Sequence, residues 1–293
     1  RVFQRPPPRA APPRTFHDTT MPIAPLSRRA LIAGAALLAA IGAATPAFAQ
    51  AAAWPAKPLR IIVGFPAGSS PDLTARALAD PLEKALGQPV IVDNRAGAGG
   101  NIGADAVAKA TDGHTIGLMI NGNMTIARLL NPAVRYDPLK DLAPVSLVGV
   151  APLVLTAPAS AAGGDARAFF DAARAAGDKW SYGSPGVGTV GHIGMELLKS
   201  RAGIAPVHVP YPGYPQVFNA MVGGDLQLSM LPPALANTQI KAGKLRGIGV
   251  TSSGRSTLVP DLPSLAEAGV KDFNLEIWNA VAAPASMPKA HVE

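Results

Sequence analysis

The stretch Arg60-Ile61-Ile62-Val63-Gly64-Phe65-Pro66-Ala67-Gly68-Ser69-Ser70-Pro71-Asp72-Leu73-Thr74 changes character twice. An apolar run of β-type residues gives way to a Gly/Ser/Pro turn, and the turn opens an amphipathic helix. A helix entered this way presents unpaired backbone N–H groups and a partial positive charge at its first turn. Such an end receives an anion without needing a basic side chain. The stretch therefore predicts a β-to-α unit whose turn holds a carboxylate, with the rest of the chain building a second wall around it.

Outward from this unit the same alternation continues. The strand at 59–63 is uninterruptedly apolar, as a parallel strand buried on both faces should be. The helix after it gathers Leu73, Ala77, Leu78, Leu82, Ala85 and Leu86 on one side and ends at Gly87. Pro81 lies inside it, removing a hydrogen bond at a cost of about 3 kcal/mol, and predicts a kink or a broken helix. Further strands are expected at 89–93 and 115–120, with a helix over 102–110 between them. This repetition argues for a doubly wound α/β domain. The apolar run 145–156 leaves that domain for a second one. There, helices at 166–176, 190–201, 216–222 and 234–242 alternate with strands at 180–183, 207–210, 225–230 and 245–251. A last apolar run, 274–283, carries the chain back. The expected division is 50–152 and 275–293 for the first domain and 153–274 for the second. A domain re-entered at its end wants at least one more helix, which predicts a C-terminal truncation.

The first 49 residues are set apart. Met21 opens a short segment with Arg28 and Arg29, an uncharged run follows to Ala44, and Ala47-Phe48-Ala49 is a small-x-small cleavage site. Residues 21–49 thus read as a secretory signal peptide, by the Sec or the twin-arginine route, and 1–20 as a non-native or mis-started leader. The run is too short and ends too apolar for a membrane anchor. Of 26 basic and 19 acidic residues, six bases and one acid lie in this leader, leaving 20 against 18. The surplus of +7 therefore shrinks to +2, and no nucleic-acid partner is expected. Cysteine is absent, so the exported chain relies on packing alone.

Three β-to-α turns share one character: 65–74, 121–125 and 184–192. Each is rich in Gly, Ser, Thr or Asn and poor in Lys and Arg, and each sits at the carboxyl end of a predicted strand, where α/β proteins place ligands. No G-x-x-x-x-G-K-[ST] occurs. The run Gly97-Ala98-Gly99-Gly100-Asn101-Ile102-Gly103 imitates a dinucleotide loop, but the acid expected some twenty residues on is missing. Ser184 and His192 lie close in sequence as a nucleophile and base would, but no G-x-S-x-G elbow exists, and both read better as hydrogen-bond donors at a helix start. The histidines stand far apart and no H-E-x-x-H exists, so no metal is expected. Asp72 reads as a general base or, by default, a helix cap. Tyr211 and Tyr214 either line a pocket or pack a turn.

The run Trp54-Pro55-Ala56-Lys57-Pro58-Leu59-Arg60-Ile61-Ile62-Val63, followed by Phe65-Pro66-Ala67-Gly68-Ser69-Ser70-Pro71-Asp72, resembles the mature start of Bug-type receptors, the substrate-binding proteins of tripartite tricarboxylate transporters. Asp93-Asn94-Arg95-Ala96-Gly97-Ala98-Gly99-Gly100-Asn101-Ile102-Gly103, Tyr136-Asp137-Pro138, Tyr182-Gly183-Ser184 and Val207-His208-Val209-Pro210-Tyr211 continue the likeness in order. The resemblance implies a two-domain, type II-like Venus-flytrap fold, a periplasmic location, no cofactor and no catalysis. It implies as ligand a small organic acid in the cleft. Carried over by position, one wall is Phe65, Ala67, Gly68, Ser69, Ser70 and Asp72. The other is Ser184, Gly186, Gly188, Thr189 and His192, with Asn121 and Asn123 as side contacts and Tyr211 nearby. The implied partners are the membrane permease subunits, and a monomer is expected.

Where the family usually has Asp, often followed by Asn, this chain has Leu231-Pro232, and Pro212 replaces a usual Lys. These departures turn expectation from a citrate-like polyacid towards a more apolar or aromatic carboxylate. The expected function is a receptor that closes on a carboxylate about a hinge near 150–156 and 274–283 and hands it to a permease. Two alternatives stand beside it: a periplasmic hydrolase using Ser184 and His192, and a receptor presenting its ligand to a sensor protein.

Overall fold

The computed structural model describes residues 54–293; the leader expected at 1–20 and the signal peptide expected at 21–49 lie outside the described residues. The first lobe contains β1 (Leu59–Val63), α1 (Ser70–Leu86), β2 (Val90–Asn94), α2 (Asn101–Ala108), β3 (Thr115–Ile120), short α3 (Asn121–Met124) and α4 (Ala127–Leu130), and β4 (Leu142–Pro152). The second contains β5 (Val154–Pro158), α5 (Ala166–Ala176), β6 (Ser181–Ser184), α6 (Val190–Ala202), β7 (Val207–Pro210), α7 (Tyr214–Gly223), β8 (Leu228–Leu231), α8 (Pro233–Lys241) and β9 (Leu245–Val250). Strand β10 (Glu276–Pro284) and the short α9 (Lys289–Val292) rejoin the first.

The two sheets follow one plan. Their orders are β2-β1-β3-β10-β4 and β7-β6-β8-β5-β9. In the first, β1 runs parallel to β2 and β3, while β10 runs antiparallel to β3 and β4. In the second, β6 is parallel to β7 and β8, and β5 is antiparallel to β8 and β9. The antiparallel strand in each sheet is the one that has just arrived from the other lobe. Each sheet is covered on both faces, which is why β1 and β5 are apolar almost throughout.

Helix α1 differs from its expected orientation. Leu73 is 58% exposed and Ala77 and Ala85 also face solvent, while Asp72, Ala75 and Ala79 are buried and Leu82 and Leu86 pack on the core. The inward stripe therefore runs 72-75-79-82-86, because the Asp72 carboxylate is anchored beneath the helix and turns it. Pro81 does not break the helix, which runs as one 17-residue element to its left-handed Gly87 cap. Pro81 and Ala77 are both exposed, so the carbonyl freed by the missing N–H faces water.

The long run expected to cross between domains is two strands, β4 and β5, with only the buried Leu153 between them. Thr251, just past β9, ties both crossings. Its Oγ1 accepts from Leu153 N–H at 2.7 Å and donates to Leu275 O at 2.7 Å. Leu275 N–H in turn donates to Thr251 O at 2.8 Å.

At the end of β1 the chain passes close under α2. A Cβ added to Gly103 would lie 2.6 Å from the Gly64 Cα, and one on Gly64 would lie 2.5 Å from the Gly100 carbonyl oxygen. Both neighbours are backbone and cannot swing aside. Gly103→Ala is expected to lower unfolding free energy by about 1–3 kcal/mol through overpacking, read from urea melts.

Candidate functional site

The cleft is built by turns that follow β1, β3, β6 and β8. Two of them start long helices. Helix α1 begins after Ser69 and α6 begins after Thr189, and neither N-terminus is capped by a side chain. Their first turns, with Ser69, Ser70 and Pro71 from one lobe and Thr189 and Val190 from the other, line the same cavity of ≈ 40 Å³. The first N–H groups of a helix have no internal partner and carry its positive end. Two such ends thus meet at one small space, and no Lys, Arg or His lines it. Ser69 is 2% exposed and its Oγ has no hydrogen-bond partner, leaving a buried hydroxyl in the cavity wall.

Hydrogen bonds hold the walls in place. Asp72, 1% exposed, accepts from Gly68 N–H at 2.8 Å, from Arg76 Nε at 3.0 Å and from Asn94 Nδ2 at 2.9 Å. Burial alone pushes its pKa up, but the bonds from Arg76, Gly68 and Asn94 outweigh that and hold it below the usual range. Its oxygens are spent on bracing the 65–69 turn. Asn121 clamps the end of β3 to β10, accepting from Trp278 N–H at 2.9 Å and donating to Glu276 O at 3.3 Å. Asn123 donates to Gly99 O and Asn101 Oδ1, and Tyr136 Oη closes that network on the Asn123 carbonyl. Thr189 Oγ1 donates to Gly186 O at 2.7 Å, tightening the turn before α6.

Behind the 184–189 turn lies a half-buried cluster. Ser184 Oγ is 2.7 Å from Nε2 of His208, not of His192, and also bonds the Gly186 backbone. The parallel register of β6 and β7 sets His208 beside Tyr182, on whose ring it stacks. His192 lies 4.4 Å from the His208 ring and its Nδ1 accepts from Gly188 N–H. Tyr182 Oη donates to Glu196 at 2.6 Å, and Lys199 pairs with the same carboxylate. The His208 pKa is pushed down to about 4, first by burial and then by His192, with Glu196 opposing and Lys199 adding to the drop. His192 is lowered too, chiefly by burial. The Ser184–His192 pair expected of a hydrolase is replaced by Ser184–His208, buried beside the cleft rather than lining the cavity.

Of the residues singled out from sequence, Phe65, Ser69, Ser70, Asn121 and Thr189 line the cavity. Gly186, Gly188 and Tyr211 line a neighbouring recess with Gly97 to Gly99, and Gly68 lines a groove along α1. Asp72, Asn123, Ser184 and His192 serve as internal braces, and Ala67 lies in the first turn without lining the cavity. Leu231 does not face the cavity: it is buried in the core beside α7, and Pro232 faces inward instead. The cavity also takes Tyr214, Ile277, Trp278 and Asn279. Tyr214 carried a signal in the Pro-Gly turn before it. Trp278 carried none, because only the return of β10 beside β3 brings it there. Among the described residues no cluster of three or more His, Asp or Glu is placed to hold a metal ion, and no helix is long and apolar enough to cross a membrane.

The lobes touch through backbone. A Cβ on Gly186 would lie 2.9 Å from the Gly99 Cα, one on Gly99 would lie 2.7 Å from the Val187 oxygen, and one on Gly122 would collide with the Gly188 oxygen.

Residues 74–293 match the family model described as "Tripartite tricarboxylate transporter family receptor". BugT of Bordetella pertussis (strain Tohama I) is 38% identical over 251 residues, covering 84% of this chain and 76% of BugT. The structure of R. palustris Rpa4515 with adipate superposes with a TM-score of 0.79 at 31% identity, covering 82% of this chain and 80% of that one. MatC of Rhodopseudomonas palustris with bound malate gives 0.77 at 30% identity, covering 82% of each chain.

The histidine cluster sets a pH dependence. An unfolded imidazole titrates near ~6.5, well above buried His208. Over the window from about 4 to ~6.5 the unfolded chain therefore binds more protons, so stability falls as pH drops through it. The melting temperature is expected to decline across that window, and His208→Gln, which retains a partner for Ser184, to flatten part of the slope in thermal melts taken at successive pH values.

Proposed function

The chain belongs to the tripartite tricarboxylate transporter receptor family, and on that premise we propose that it is a non-catalytic periplasmic receptor for a small organic carboxylate, which it delivers to the permease subunits of such a transporter. One observation carries the reading. Two uncapped helix N-termini, from different lobes, face one small cavity that no basic side chain lines. An anion between them satisfies orphan N–H groups on both sides and relieves the approach of two like partial charges. The family's transport role and the adipate and malate found in two related structures support it.

In this reading Ser69, Ser70, Thr189 and the adjoining backbone N–H groups hold the carboxylate. Phe65 and Asn121 shape the wall, Asp72, Asn123, Ser184 and His192 brace the turns, and Ala67, Gly68, Gly186, Gly188 and Tyr211 frame the entrance. Closure swings the lobes about the β4–β5 and β9–β10 crossings. The export signal at 21–49 and the division at 153 and 275 belong to the same proposal.

A thermal-shift screen of organic acids is the direct test. A carboxylate at one hundred times its Kd should stabilise the protein by about 2.7 kcal/mol, a shift of several degrees. Stabilisation by nucleotides or sugars, with no response to any carboxylate, overturns the reading. Gly122→Ala props the cleft open without straining its own lobe. It should weaken carboxylate binding at least tenfold in calorimetry while leaving the unliganded melting temperature unchanged.

A further inference from the structure

Four β-to-α turns face the cleft, and the fourth departs from the other three. After β8 the chain reads Leu231-Pro232-Pro233 and enters α8, with Pro232 at the N-cap and Pro233 in the first turn. Neither residue has an N–H, and neither has a polar side chain. Pro232 lines the same cavity as the N-termini of α1 and α6. That helix end therefore loses two of its donors, and the next N–H groups belong to Ala234 and Leu235, which do not line the cavity. Its surroundings are mostly apolar: Ile277 and Trp278 complete that part of the wall, and the neutral donors there are the Trp278 indole N–H and the Tyr214 hydroxyl. The polar side chains nearby are already engaged. Asn121 spends both its amide oxygen and its amide nitrogen on β10, and Asn279 reaches Thr74 at 3.5 Å. No Lys, Arg or His faces the space.

We infer that the ligand carries a single carboxylate on an apolar body: the charged group sits at the α1 and α6 N-termini and the remainder packs on Pro232, Ile277 and Trp278. This rests on the receptor reading and narrows it. A second carboxylate would be taken out of water against surfaces that offer it no counter-charge and only isolated neutral donors, and burying a poorly paired ion is strongly unfavourable. An apolar body loses nothing there and gains from burial.

Matched pairs of acids separate this from general carboxylate binding. Butyrate and succinate, hexanoate and adipate, and benzoate and terephthalate each share a carbon skeleton and differ in the second carboxylate. Calorimetry at pH 7 is expected to show the monoacid binding at least tenfold more tightly than its diacid in every pair that binds. Equal affinity, or a preference for the diacid, overturns the inference and leaves the receptor reading intact. If none of the six binds while another carboxylate of the organic-acid screen stabilises the protein, the inference falls and the receptor reading stands; if no carboxylate does, both fall. Pro232→Asn supplies a second readout. Asn is a favoured N-cap, so α8 should keep its start, and its amide adds a donor to that wall. The variant should narrow the preference by raising affinity for the diacid while the monoacid gains nothing. An unchanged ratio in a folded Pro232→Asn protein places the discrimination elsewhere and overturns the role given to this turn.

Discussion

Two helices of opposite lobes point their positive ends at one another, and much of the architecture serves that approach. Like partial charges brought together in a space of low polarity repel unless an anion lies between them. The chain provides no acidic side chain in the cavity wall to do this. Asp72, the one carboxylate close by, is held underneath the α1 turn by Gly68, Arg76 and Asn94 and cannot swing in. The cavity wall thus withholds the negative charge that would offset the two helix ends.

Precision at these helix ends comes from residues that never reach the cavity. The 65–69 turn is set by Asp72, the 97–100 turn by Asn123 and Asn101, and the 184–189 turn by Ser184, His208 and Thr189. Each brace is buried or nearly so, where an unpaired polar group is costly. Each turn is therefore held to one conformation. The His192–His208 cluster places two imidazoles behind the second wall, both favoured in the neutral state by burial. That wall accordingly keeps its imidazoles neutral well below neutral pH, until His208 takes up a proton at about pH 4.

Much of the fold was legible because local signals and tertiary demands agree. Strand 59–63, strand 115–120 and helix 166–176 have the bounds their apolar patterns predict. Disagreement arose where a tertiary bond overrides a local pattern. Leu73 looked like a core residue, but the anchoring of Asp72 rotates it outward. Pro81 looked like a break, but solvent satisfies the group it frees. At the site, the small and polar turns announced themselves, since Gly, Ser and Thr at helix starts have few other uses. The apolar half did not. Trp278 on β10 and Pro232 at the start of α8 come from elements far apart in sequence, and nothing local separates a cavity-facing Trp from a core one. Ser184 was paired with His192 by nearness in sequence, whereas strand register brings His208 to it.

The meeting of the lobes through Gly99, Gly122, Gly186 and Gly188 has a consequence for selectivity. Side chains at such a contact could rotate or tilt to accommodate an oversized guest, and the stop would be soft. Backbone against backbone is a hard stop, like the jaws of a caliper, with its zero fixed by atomic radii. In the proposed receptor, a guest that is too large would leave the jaws apart and the cavity wet, and one that fits would be sealed in. The frame measures size, and the lining residues are free to diverge in chemistry without recalibrating it.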